Sequence, residues 1–455
     1  MWVPFPGMPV LIDKIGTGKI IKVLEKSALV SIDKYNGIQI EKPLSSLNPI
    51  REHLCNRTEE KKGFSIKREV YLNNATKKNL EIRTIESLRF GLVPDKHIEE
   101  LTLGYNELKQ WVERGFVKCA LGNPTGFEVS GTYGTGKSHT LSIIRYLAEK
   151  KGFLTAKAEV DGNNLSFSNP EVLLNHLWGY LTGNNLDSEF PLLDLYTKII
   201  NRGIIPSKII TEGNDKIKNN LTTIYNVLRS GHLDKYSEYI NAIISSSEEY
   251  TATQVVKEIS SEFNISKSQI KLERMISRKL DCKPMDFIES IAGHAIIAKL
   301  AGYKGLIITI DEFEIEYMDK KRFDKAENVL RALYKYFKGY TKYFKAPVGI
   351  YIAAIDQGGL KGDRAIENYV AMEEEDRYRL RVWDSDSRIN LAKKIHRLYC
   401  EAYSLDKEFD VNLAKNVENM LARKIENNDS GLIRSFIKWY IGILDIKYGP
   451  PEGVV

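Results

Sequence analysis

The chain has 455 residues, of which 43% are hydrophobic, and its 66 basic and 60 acidic residues give a net charge of +6. At roughly 100–200 residues per domain, this length predicts two to four domains, and the composition excludes collagen-like repeats and long disorder. No stretch approaches the ~18 uncharged apolar residues of a membrane span, and the first residues lack the pattern of a secretory signal. The cysteines are too far apart for a zinc pair or a disulfide framework, which predicts reduced thiols and a cytoplasmic location. They are Cys55, Cys119, Cys282 and Cys400.

Residues 1–50 have the pattern of a small β-barrel of the Tudor or KOW type. Short apolar runs such as Ala28–Ile32 alternate with turns, and the dipeptide Asn36-Gly37 between two such runs is typical of a hairpin. Residues 1–68 carry 12 Lys or Arg against 7 Asp or Glu, so they hold +5 of the total charge. A basic module of this kind favours a polyanion such as DNA. A solvated basic surface is the alternative.

The rest of the chain divides by composition and periodicity. Residues 51–78 are polar and predict a linker. Helical spacing then begins at Ile82 and predicts a first helix, and a second is expected over Tyr105–Arg114. We predict an α/β core over 79–384, a helical insertion at about 165–300 and a helical lid over 385–455. The spacing of 174 residues between the two motifs described next is the basis for the insertion, because a compact core needs only about 50–70 residues there.

A phosphate-binding loop is predicted at Gly131–Ser138. The sequence fits G-x-x-x-x-G-K-[ST], an apolar strand over Gly126–Ser130 precedes it, and helical spacing follows. Backbone N–H groups of such a loop wrap a phosphate at a helix N-terminus. Lys137 is expected to neutralise the β- and γ-phosphates, and the Ser138 hydroxyl is expected to ligate Mg²⁺. The predicted cofactor-binding residues are Gly131, Thr132, Tyr133, Gly134, Thr135, Gly136, Lys137, Ser138 and His139.

A second motif ends the apolar run Leu306–Ile310. Asp311 is predicted to help hold Mg²⁺, and Glu312 is predicted to orient and polarise the attacking water. The alternative is an acidic strand end beside a solvated acidic helix that contains Glu314 and Glu316. The Asp-Glu pair favours hydrolysis of ATP over phosphorylation of a small molecule.

Further polar residues complete the predicted catalytic set. The apolar run Val348–Ile355 ends at Asp356 and Gln357, and either Asp356 or Gln357 is predicted to help align the water. In the last helical block, residues 431–437 resemble the AAA+ sensor-2 helix, and this resemblance implies that Arg434 reaches the γ-phosphate when the lid closes. A trans-acting arginine is expected after the strand that ends at Ile355. The candidates are Arg364, Arg377, Arg379 and Arg381.

Several segments together resemble the BREX system ATP-binding protein family (BrxD-like), an AAA+ group related to origin-recognition and helicase-loading ATPases. Ile85–Pro94 is similar to its "ALR-x-G-x-x-P" segment and Gly134–His139 to its "YGSGKSH" loop. Residues 301–314 are similar to its "GLVLLLDELE" strand. Two features depart from the family pattern: Ile355-Asp356-Gln357 stands where a Thr-Pro turn is frequent, and the barrel lies outside the family core.

The resemblance implies a cytosolic ATPase in genome defence or DNA handling, with protein partners from a multi-gene system, and it implies that Leu88–Leu103 approaches the adenine. We therefore expect ATP and Mg²⁺ as ligands, DNA as a partner through the barrel or the insertion, and a homo-oligomer. The favoured function is an ATP-hydrolysing switch, loader or motor on DNA or on a DNA-bound partner. The alternatives are a nucleotide-gated scaffold with little turnover, a processive helicase, which needs a ring of subunits, and a small-molecule kinase.

Overall fold

The computed structural model divides the chain into two compact units, residues 1–71 and 72–455. It describes the five strands of the first unit and most of the second unit, and the described ranges are 9–12, 16–23, 27–32, 38–43, 47–49, 80–161, 165–186, 189–203, 257, 260–261, 283–340, 346–355, 366–371, 373–425 and 432–448.

The first unit contains five short strands. They are β1 (Pro9–Ile12), β2 (Gly16–Val23), β3 (Ser27–Ile32), β4 (Ile38–Pro43) and β5 (Leu47–Pro49). They form one antiparallel sheet in the order β4-β3-β2-β1-β5, and the pairing of β2 with β3 shifts register between Ile20 and Lys22. Closure of this sheet into a barrel stays a prediction.

The second unit is built on a parallel sheet of five strands. They are β6 (Thr125–Gly131), β7 (Leu154–Glu159), β8 (Leu306–Asp311), β9 (Val348–Ile355) and β10 (Arg377–Arg379). The order is β10-β6-β9-β8-β7, so the strand before the phosphate loop and the strand with Asp311 flank β9. With neighbouring strands ~4.8 Å apart, the two motifs are separated by roughly 10 Å at the same edge of the sheet.

Helices surround this sheet. They are α1 (80–90), α2 (Ile98–Leu101), α3 (Tyr105–Ala120), α4 (Lys137–Lys150), α5 (Pro170–Gly179), α6 (Pro191–Asn201), α7 (Pro284–Leu300), α8 (Lys320–Phe337), α9 (Glu367–Val370), α10 (Ser385–Tyr403), α11 (Val411–Ile425) and α12 (Leu432–Tyr448), with 3₁₀ helices at Phe313–Met318 and Glu374–Asp376.

The two faces of the sheet are covered by different helices. The largely apolar strands, such as Leu306–Ile310, are buried on both faces, as parallel strands require. Ile308 packs in a cluster with α5, α6, α7 and α8, whereas Ile307 packs in a second cluster with α3 and α4. This arrangement confirms the predicted α/β fold, that of a P-loop NTPase core. The helices α5, α6 and α7 from the predicted insertion range thus belong to the core, and residues 204–282 lie almost entirely outside the described residues.

The last three helices, which the sequence predicts to be a lid, pack around an apolar core that also includes α1 from the start of the unit. Ile85 and Leu88 are buried among apolar residues of α10, α11 and α12. The Arg89 guanidinium donates hydrogen bonds of 3.0 and 2.9 Å to the two carboxylate oxygens of Asp445 on α12. A bidentate ion pair therefore joins residues 356 positions apart, and α1 is part of the lid although it precedes the sheet in the chain.

Gly126 lies where β6 has no room for a side chain. A Cβ atom there would lie 2.3 Å from the carbonyl oxygen of Val370. Because that obstacle is backbone, we expect Gly126→Ala to lower the free energy of unfolding by about 3 kcal/mol, measured by urea denaturation. Gly442→Ala in α12 is the matched control, since nothing lies within 4 Å of its Cβ position, and it should raise stability by about 0.5–1 kcal/mol. Equal effects of the two substitutions would contradict this account.

Candidate functional site

The phosphate loop follows β6 directly and has the backbone that its glycines allow. Gly134 and Gly136 have φ angles of 72° and 105°, which are accessible mainly to glycine. Gly136 is the N-cap of α4 and supplies no side-chain cap, so the first N–H groups of this helix have no side-chain acceptor. The Thr135 hydroxyl donates to the Thr132 carbonyl at 2.7 Å and braces the loop. The result is an anion-binding helix N-terminus.

Lys137, the first residue of α4, is buried and faces a carboxylate. Its Nζ lies 3.6 Å from Oε1 of Glu314, and the two side chains are only 7% and 10% exposed. The same Nζ donates to the Gly131 carbonyl at 3.4 Å. Both carboxylate oxygens of Glu314 are buried and accept no hydrogen bond. Glu316 is fully buried and accepts from Phe167 N at 2.6 Å. The alternative of a solvated acidic helix is therefore wrong, because the 3₁₀ turn directs both carboxylates inward.

Glu312 occupies a backbone conformation that is unusual for its residue type. Its φ of 56° is left-handed, and its N–H donates to Oδ1 of Asp311 at 3.0 Å, which supports the turn. Such strain at a non-glycine residue is typical of functional sites. Burial is the main cause that raises the pKa of Glu312, and the nearby carboxylates of Glu314 and Asp311 add to it. The side chain lines the same pocket as the phosphate loop.

Ser138 and Asp311 offer the oxygen ligands that Mg²⁺ prefers. Ser138 lies in the first turn of α4 and lines the pocket, and Asp311 ends β8 beside Glu312. Among the described residues, no three His, Cys, Asp or Glu side chains come together to hold a metal ion. One hydroxyl and one carboxylate fit Mg²⁺, because this ion usually keeps waters and nucleotide phosphates as its other ligands.

His139 packs against Thr102 at the end of α2, and this contact indicates which of its ring nitrogens carries the proton. The Thr102 hydroxyl donates to the Ile98 carbonyl at 2.6 Å, so its oxygen accepts from Nε2–H of His139 at 2.7 Å. Burial lowers the pKa of His139 to about 4. This side chain is therefore neutral at pH 7 and fixes the wall of the pocket.

Arg145 joins the helix after the phosphate loop to the acidic strand, a link that no local sequence signal indicates. It donates to the Thr309 hydroxyl on β8 and to the Ser142 hydroxyl on α4, both at 2.8 Å. Burial lowers the pKa of Arg145, and the negative charges of Asp311 and Glu149 oppose that effect. Thr309 lies two residues before Asp311, so its hydrogen bond with Arg145 fixes the distance between the two motifs.

Arg434 on α12 reaches the phosphate loop from the lid. Its Nη1 donates to the Tyr133 hydroxyl at 3.3 Å, and its guanidinium lies 5.8 Å from the centre of the Tyr133 ring. Arg434 is exposed, and its aliphatic stem lies against Gly91 at the end of α1. The lid thus contacts the phosphate loop through this arginine.

The remaining wall of the pocket is apolar and comes from segments far apart in the chain. Its residues outside the phosphate loop include Leu92, Val93, Pro94, Leu103, Tyr378, Leu380, Trp383, Leu391, Ile433 and Ile437. Gly104 allows Trp383 to lie close, since a Cβ there would be 2.5 Å from the indole ring, and the Arg381 guanidinium lies 4.5 Å from the ring centre. The segment Leu88–Leu103 does line the pocket, whereas sequence reasoning missed Tyr378 and Trp383.

The structure brings together only some of the predicted site residues. The pocket brings together residues 133–139, Glu312 and Arg434, and Asp311 adjoins it. Asp356, Gln357 and Arg364 lie outside the described residues. Of the arginines on or after β10, Arg377 and Arg379 pair with Glu374, and Arg381 pairs with Glu107; Arg379 and Arg381 are more than 60% exposed.

The fold and the site define a nucleotide-binding protein of the P-loop class: a helix N-terminus with a buried lysine faces a strand that ends in two carboxylates, over a parallel sheet. The family model of the BREX system ATP-binding protein BrxC/D matches residues 76–452, so the chain belongs to that family. Membership supports ATP binding and a role in the BREX phage-defence system. A search of the curated proteins found no match. None of the helices in the described part of the chain is both long and apolar enough to cross a membrane.

Proposed function

We propose that the chain is an AAA+ ATPase that hydrolyses ATP and uses its helical lid to transmit the nucleotide state to DNA or to a DNA-bound partner. The observation that carries the proposal is the carboxylate of Glu312, held in a strained turn and lining the same pocket as Lys137 and Ser138. A binding module needs no such base, whereas hydrolysis needs one to orient and polarise the attacking water.

The sheet order and the lid support the AAA+ assignment. The acidic strand β8 is separated from β6 by β9, which leaves room at the strand ends for phosphates and a water between Lys137 and Glu312. Lys137 and the first N–H groups of α4 bind the phosphates, and Arg434 is placed on the lid to approach the terminal one. When bound through Ser138 and Asp311, Mg²⁺ would neutralise phosphate charge.

The apolar wall of the pocket binds the adenine ring of ATP. The walls that contain Pro94, Leu103 and Trp383 suit a flat heterocycle, and α1 joins this wall to the lid. Ordering of the lid by a bound adenine nucleotide would therefore move α1 and α12 together. The basic residues 1–68 favour DNA as the partner.

The experiment that tests this function measures steady-state ATP hydrolysis by the full chain with no DNA, with single-stranded DNA and with double-stranded DNA over a salt series. Stimulation that fades as salt rises supports a DNA-coupled ATPase, because contacts to phosphates release counterions. Tight ATP binding with near-zero turnover under every condition would instead favour a nucleotide-gated scaffold.

The raised pKa of Glu312 predicts the pH dependence of turnover. The base works only when it is deprotonated, and burial together with the negative charges of Glu314 and Asp311 raises its pKa. As the pH falls, kcat should therefore decrease at a higher pH than for an ordinary, solvated glutamate. A kcat profile from neutral to mildly acidic pH, with circular dichroism to verify the fold, measures this. A flat profile down to the ordinary glutamate pKa would contradict the assignment of Glu312 as base.

A further inference from the structure

The buried pair of Lys137 and Glu314 poses an energetic problem. The two side chains are about nine-tenths buried or more, and both carboxylate oxygens of Glu314 lack a hydrogen bond. A buried carboxylate is costly unless it is paired and hydrogen-bonded. At 3.6 Å the ammonium of Lys137 is the cation that the structure places beside it. In this arrangement the charge of Glu314 is therefore compensated mainly by the lysine that is expected to bind phosphate.

An incoming nucleotide changes this balance. If Lys137 turns to the β- and γ-phosphates, the buried carboxylate of Glu314 loses its counter-charge and also faces new negative charge. Both effects oppose binding of a free polyphosphate, and they are large in a poorly solvated site. A divalent cation on the phosphates removes part of that repulsion, so the metal complex is favoured over the free nucleotide.

We propose that Glu314 is the resident counter-charge of Lys137, and that it makes tight nucleotide binding depend on complexation of the polyphosphate by Mg²⁺. The inference rests on the proposed function, because it takes the same pocket as the ATP site. Glu314 acts here as a positioning residue, through its contact with Lys137 and through its own negative charge. It differs from Glu312, which acts on water, and from Glu316, which accepts hydrogen bonds from Ser166 and Phe167.

The test is calorimetric titration of the full chain with ATP, ADP and AMP, each in MgCl₂ and in EDTA. We expect Glu314→Gln to bind ATP in EDTA on the order of tenfold more tightly than the wild type, with a correspondingly smaller gain from Mg²⁺. AMP should bind equally to both proteins, since it lacks the β- and γ-phosphates that Lys137 is expected to hold. ADP should show an intermediate effect.

Two further variants serve as controls. Glu314→Asp keeps the charge but withdraws it by one methylene, so its affinity for ATP in EDTA should lie between those of the wild type and Glu314→Gln. Glu113→Gln removes a carboxylate that pairs with Lys151 away from the pocket, and it should bind like the wild type. Melting curves establish that each variant is folded.

The outcomes separate this inference from the proposed function. The role of Glu314 is refuted if the wild type binds ATP but Glu314→Gln binds it no more tightly in EDTA. It is also refuted if the substitution raises the affinity for AMP as much as the affinity for ATP. In both cases the ATP site itself stands. If the wild type binds no ATP even with Mg²⁺, both fall.

Discussion

Glu312→Gln should reduce ATP turnover at least about a hundredfold while ATP remains bound. A general base contributes roughly 10²–10⁴ to the rate of such a reaction, and the amide of glutamine cannot accept the proton. The contacts expected for the phosphates come from Lys137 and the N-terminus of α4, which this substitution leaves in place. Turnover is measured by phosphate release and binding by calorimetry with MgATP.

The substitution is suited to this test because it keeps the local structure. Glutamine has the same length and shape as glutamate, so the strain at φ 56° and the hydrogen bond from N–H to Asp311 are unchanged. Loss of turnover with an unaltered melting temperature then reports on chemistry. Glu113→Gln, which removes the ion-pair partner of Lys151 and does not line the pocket, should leave turnover unchanged. Turnover within threefold of wild type in Glu312→Gln would refute hydrolysis through this residue.

The two motifs could be predicted from the sequence because each is contiguous. The loop at Gly131–Ser138 and the pair Asp311-Glu312 each stand at the end of an apolar strand in the sequence. The hydrophobic periodicity of the strands and the turn residues after them therefore place both motifs at strand ends. Their closeness follows because parallel strands in one sheet end at one edge. The helix predicted over Tyr105–Arg114 is observed, although it continues to Ala120.

The pocket wall could not be predicted in the same way. Trp383 follows the three-residue strand β10, which is too short to give a periodic signal, and its position depends on pairing with β6. The packing of α1 on the lid depends on the contact between Arg89 and Asp445, which no local pattern indicates. Glu314 was open to a solvated interpretation because burial at the 3₁₀ turn is decided by tertiary packing.

Lys137→Met should have two separable effects, lost nucleotide binding and lost stability. Without the ammonium, affinity for MgATP should fall by about a hundredfold, because a charge-assisted contact to phosphate is gone. Independently, the carboxylate of Glu314 stays buried with no counter-charge, which should lower the free energy of unfolding by about 3 kcal/mol at pH 7. Urea denaturation without nucleotide measures the second effect.

The double variant Lys137→Met/Glu314→Met separates the two effects, because it removes both buried charges and puts apolar groups in their place. Replacing a whole buried ion pair is often neutral or stabilising, so the double variant should regain most of the stability that Lys137→Met loses. It should not regain affinity for MgATP, since the lysine is still absent. A double variant no more stable than the single one would show that the two side chains are not energetically coupled, and it would leave Lys137 to act on phosphate alone.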